Sequence, residues 1–85
     1  MLKIQRRVDG DVVFTVSGRL HARNLNELTA LLAAEPTGPP VALDLKDLVL
    51  VDRAAIRFLR TCEADGIALH QCPSYIRAWM ARDNE

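Results

Sequence analysis

The spacing of apolar residues in this chain changes along its length, and that change limits its folds more than any other feature. Leu2, Ile4 and Val8 share one parity, and Val12, Phe14 and Val16 do likewise. A period of two belongs to strands with one buried face. Asp9-Gly10-Asp11 separates the two runs, so residues 2–16 are expected to form a hairpin. Past Ser17-Gly18 the period lengthens. Leu25, Leu28 and Leu32, with Leu31 beside them, line one face of a helix over about residues 22–34, which His21 or Asn24 begins and Glu35-Pro36 ends.

EPTGPP at 35–40 cannot continue a helix, and VALDL at 41–45 then supplies a short strand for the sheet centre. KDLVLVD carries the chain in extended form to Asp52. RAAIRFLRTCEAD lacks glycine and proline and reads as a second helix closed by Gly66, with Ala55, Ile56, Leu59 and Cys62 facing the core. IALH at 67–70 is a short buried strand, and Ser74 opens a third helix with Tyr75, Ile76, Trp79 and Met80 on one side. The expected order is β-β-α-β-α-β-α. Such alternation predicts an α/β fold, a mixed sheet covered by helices on at least one face.

Eighty-five residues form one domain at most, spanning 1–85, because so short a chain buries only about 60–65% of its unfolded surface. With 5% aromatic residues the core must be mostly aliphatic. Eleven basic residues balance eleven acidic ones, so no global field favours nucleic acid or an anionic membrane, and binding must come from a local patch. Cys62 and Cys72 suit neither a disulfide framework nor a CxxC pair. The N-terminus lacks the apolar run of a signal peptide, and no stretch approaches the ~18 apolar residues of a membrane span. The expectation is a soluble cytoplasmic protein with no direct membrane insertion.

No catalytic set emerges. His21 and His70 are isolated, and His70-Gln71-Cys72 offers two metal ligands where a zinc site needs four. Cys62 reads as a small buried hydrophobe. Asp44 and Asp47 have no base or nucleophile beside them, and solvation or capping accounts for both. SGRLHARN has no phosphate-cradling glycine pattern. No cofactor is expected. Arg53, Arg57 and Arg60 differ: their spacing stacks three guanidinium groups along one helix face. Such a stripe is either a solvated face or a docking edge for an acidic partner surface, to which arginine offers bidentate contacts.

Three stretches carry a resemblance to a known family. VVFTVSGRL resembles a second strand ending in a Ser-Gly-x-Leu turn, VALDLKDLVLVD resembles an apolar strand, a polar break and a second apolar run closed by aspartate, and CPSYIRAWM resembles the approach to a third helix. Over roughly residues 8–80 the chain is similar to the STAS family, the domain of bacterial anti-sigma factor antagonists and of the cytosolic tails of sulfate transporters. Residues 41–56 are the most specific part. The family continues with a further strand and helix, so the resemblance implies a fold short at its C-terminus, where Trp79 and Met80 either cover the open face or contact a second copy or a partner.

In many of these antagonists the aspartate precedes Ser-Ser-Gly, and the first serine is phosphorylated by a kinase that is itself the anti-sigma factor. Here Asp52 matches the aspartate, while Arg53 replaces the phosphorylated serine, Ala54 the next serine and Ala55 the glycine. A phosphate would add about −1.5 to −2 charges at a helix N-terminus. Arg53 cannot accept one. Ser17, Thr29, Thr61 and Ser74 do not occupy the family position. The resemblance therefore implies a non-enzymatic interaction module without the serine switch, binding a protein partner through Arg19, His21, Arg23, Asp52, Arg53, Arg57 and Arg60. An anti-sigma factor kinase is the first expectation for that partner. The alternatives are an accessory subunit docking on the ATPase of a lipid-trafficking transporter, and a sensor taking a nucleotide or other anion near Asp52 and Arg53.

Overall fold

The period-two runs become an antiparallel pair, β1 (Leu2–Asp9) and β2 (Asp11–Leu20), in register from Leu2 opposite Gly18 to Asp9 opposite Asp11. The computed structural model describes residues 2–36 and 38–83. The remaining elements are α1 (Leu25–Ala33), β3 (Val41–Asp44), β4 (Leu48–Val51), α2 (Arg53–Ala64), β5 (Ala68–His70) and α3 (Ser74–Asp83). This is a small α/β fold with a mixed five-stranded sheet and three helices, as the alternating periods predict.

β2 is the organising strand. One edge pairs with β1, and the other pairs in parallel first with β3, along residues 12–15, and then with β4, along residues 18–20. β5 adds in parallel to β3, giving the order β1-β2-β3-β5 with β4 beside β2 alone. The expected extended run over 46–52 is thus a separate strand rather than a continuation of β3. Leu45 is fully buried between the two strands, and Leu48 N–H donates to the Leu45 carbonyl at 3.1 Å. Asp44 is not solvated: it is 8% exposed, and its Oδ1 accepts from Lys46 N–H at 3.1 Å. Capping this turn is its role, and its place on an inner strand, flanked by Thr15 and His70, shields it.

Val12, Phe14, Val16 and Leu20 point from β2 into a single cluster with Leu28 of α1, Ile56 and Leu59 of α2, and Ile76 and Met80 of α3. All three helices put their buried side chains into this cluster, so they lie on one face of the sheet. Each fully buried Leu, Ile or Phe contributes about 1.5–3 kcal/mol of burial free energy. Met80 is a core residue and Trp79 packs against the cluster, whereas Tyr75, expected on the same side, is 45% exposed.

The end of α2 follows from one residue. Gly66 has φ +92°, Gly66 N–H donates to the Glu63 carbonyl at 3.1 Å, and Ile67 N–H donates to the Cys62 carbonyl at 3.0 Å. This is a Schellman closure, with Ile67 and Cys62 both against the core. Among the described residues, no helix is long and apolar enough to cross a membrane.

Candidate functional site

The start of α2 and the turn between β2 and α1 meet at Asp52. Asp52 is the N-cap of α2: its Oδ1 accepts from Ala55 N–H at 2.9 Å, three residues on. Its other oxygen, Oδ2, accepts from Ala22 N–H at 3.0 Å, joining segments thirty residues apart in sequence. Partial burial raises the pKa of this carboxyl, but the N–H groups of Ala22 and Ala55 and the nearby His21 together outweigh burial and hold it below its usual value.

Asn24 shapes the turn itself. The helix expected from residue 22 begins at Leu25, because residues 22–24 form a turn in which Asn24 and Leu25 N–H both donate to the His21 carbonyl. The Asn24 side chain does not cap α1. Its Oδ1 accepts from His21 N–H at 2.9 Å and its Nδ2 donates to the Arg19 carbonyl at 2.8 Å. The turn is therefore braced by one side chain from within and by Asp52 from outside. His21, Ala22, Arg23 and Asp52 line a shallow depression here, with Arg23 exposed beside it.

Upstream, the pairing of β2 with β4 shifts register between Gly18 and Arg19. Gly18 has φ +91°, a left-handed conformation that a side chain resists. Gly18 pairs with Leu48 and Arg19 with Leu50, so Val49 is the extra residue of a bulge and is 73% exposed.

The arginine stripe occurs on α2, but it is not simply a solvated face. Arg53 Nε donates to Asp83 Oδ1 at 3.0 Å, while Arg57 Nε and Arg60 Nη1 lie 3.5 and 3.6 Å from Asp83 Oδ2. Asp83 sits at the end of α3 with its side chain 4% exposed. At the other end of the helix pair, Arg77 Nη1 and Nη2 donate to Glu63 at 2.9 and 2.7 Å, a bidentate pair that holds the Glu63 carboxyl below its usual range. The early residues of α2 thus meet the end of α3, and its late residues meet the start of α3. The two helices run antiparallel, with an ion cluster at one end and a single ion pair at the other.

Of the residues the sequence singles out, Arg19, His21, Arg23, Asp52 and Arg53 come together around the turn and the start of α2. Arg57 and Arg60 extend that surface along the helix toward α3. Two participants escape sequence reasoning, Asn24 as the brace of the turn and Asp83 as the counter-ion of the stripe. Thr29 and Thr61 hydroxyls donate to helix carbonyls at 2.9 and 3.0 Å, and the Ser17 hydroxyl faces the Lys3 carbonyl at 3.5 Å, so these hydroxyls lie away from the α2 cap. Among the described residues, no group of three His, Cys, Asp or Glu side chains is placed to hold a metal ion. The chain matches no family model, and none of the curated proteins compared with it is similar.

Proposed function

We propose that this protein is a non-enzymatic, STAS-like interaction module of the cytoplasm, which binds an anti-sigma factor of the kinase type without a serine switch. The Asp52 bridge supports this reading most directly. By accepting from Ala22 and Ala55 together it makes one rigid surface from the β2–α1 turn and the start of α2. Arg53, at the position where the family carries its phosphoserine, leaves that surface basic and unmodifiable. Docking is then constitutive or controlled by partner supply. The anion-sensing alternative draws no support from this geometry, because the Asp52 carboxylate already takes the N–H of Ala55 at the helix start.

A pull-down from the native host tests the proposal. Recovery of a histidine-kinase-like ATPase is the expected outcome, and recovery of a transporter ATPase in its place would transfer the protein to the accessory-subunit class. Arg53→Glu should weaken binding of the recovered kinase by about ten-fold or more, the size of a charge reversal at a docking edge. An unchanged affinity would remove the arginine stripe from the interface. Incubation with that kinase and ATP should leave the chain unlabelled, whereas phosphate on Ser17 or Thr61 would show that control had moved to another hydroxyl.

A further inference from the structure

Three guanidinium groups, those of Arg53, Arg57 and Arg60, converge on a single carboxylate at the end of α3. Two of these arginines remain open to solvent: the side chains of Arg53 and Arg57 are 67% and 63% exposed. The carboxylate is the opposite case. The Asp83 side chain is almost wholly covered, yet among the described residues its Oδ2 has no hydrogen-bond partner and makes two longer ion-pair contacts, to Arg57 and Arg60. A covered carboxylate oxygen is normally hydrogen-bonded. Among the described residues Arg53 meets Asp83 through Nε, a one-point contact, in contrast to the bidentate Arg77–Glu63 pair. Beside the cluster, Arg57, Arg60, Thr61, Ala64 and Asp83 line an open depression that can accept a side chain from outside.

We propose that Asp83 is a built-in competitor, whose carboxylate occupies the arginine site that takes an acidic segment of a protein partner. The partner's Asp or Glu side chains engage Arg53, Arg57 and Arg60 as the last turn of α3 releases them. This inference rests on reading the α2 face as a docking surface, and adds the partner's chemistry and a threshold for docking. A site filled part of the time by its own competitor binds with an affinity reduced by the fraction of time it is open. Other anchors of α3, among them Ile76 and Met80 in the core and Arg77 on Glu63, do not depend on Asp83.

The test is titration of the full chain with a fluorescent, acetylated acidic peptide of alternating Asp and Glu at low salt. Asp83→Asn and Asp83→Ala should each tighten binding by about three- to ten-fold, the gain expected when a mostly closed site becomes fully open. Arg57→Gln with Arg60→Gln should reduce binding at least as much, while the circular dichroism spectra of all variants stay the same. An unchanged or weaker affinity in both Asp83 variants overturns the competitor, even if the arginine variants fail to bind. Tighter binding of a single-stranded oligonucleotide than of the peptide overturns the acidic-peptide assignment. Failure of the pull-down to yield a kinase, with the peptide results as expected, removes the proposed anti-sigma role and leaves the competitor intact.

Discussion

Replacing Asp52 removes two acceptors at once, the one for Ala55 N–H within α2 and the one for Ala22 N–H across the site. Asp52→Ala should therefore cost about 1–2 kcal/mol at pH 7, the range of a lost N-cap, read by urea denaturation. The acid side follows from the lowered pKa. Stability from this carboxylate is fully present above its ordinary value of 3.8 and is lost as pH falls through the lower value of the folded state. The variant should show a flatter loss of stability below about pH 4 than the parent chain, and an unchanged slope would remove Asp52 as the source. Only half of this bridge is legible in sequence. A cap and its N–H lie three residues apart, so the bond to Ala55 is local, whereas the bond to Ala22 exists only after the sheet has set two loops side by side. The same limit applies to the arginine stripe. Its spacing on α2 is a matter of counting, but Asp83 lies thirty residues beyond Arg53 in a polar run that gives no periodic signal.

The helices were legible where a local interaction decides them, and the strands less so where the decision is made by a neighbour. Gly66 marks the end of α2 in sequence because the closing residue must take a left-handed conformation, and φ +92° meets that expectation. Gly66→Ala should accordingly destabilise by about 1–2 kcal/mol, since a Cβ is disfavoured there although no atom lies within 4 Å of its position. For a domain of this size that is a fall in Tm of about 4–16 °C, and an unaltered melting curve would mean that the helix end relaxes into another geometry. Residues 41–51 show the opposite case. Their extended pattern is interrupted by Lys46-Asp47, a polar break that the sequence marks, but that this break separates two strands rather than kinking one is decided by β2, which is long enough to hold both in succession along one edge. Nothing within residues 41–51 encodes the length of β2. The bulge at Val49 is hidden for the same reason, being a property of the pairing with Gly18 and Arg19.

A core that joins every helix to one face of the sheet opens as a unit, and the two cysteines are placed to report this. Cys62 is buried in the core cluster, and burial, with the negative charge of Asp65 nearby, pushes its thiol up to about 11. Cys72 is half-buried at the margin of the same cluster. A thiol reagent at pH 8 should modify Cys72 in the folded protein and Cys62 only through global opening, slower by on the order of a thousand-fold for a stability near 5 kcal/mol. Comparable rates at the two sites would show that α2 lifts from the sheet independently of the rest. The position of β2 at the centre of the sheet has one further consequence, which concerns the order of synthesis. The β1–β2 hairpin leaves the ribosome before β3 and β4, because both strands that will cover the second edge of β2 are encoded downstream, at residues 41–51. At about 5–20 residues per second, the nascent hairpin carries that edge unpaired for on the order of seconds, so the interval most exposed to wrong strand pairing falls during translation, before the first parallel partner has emerged.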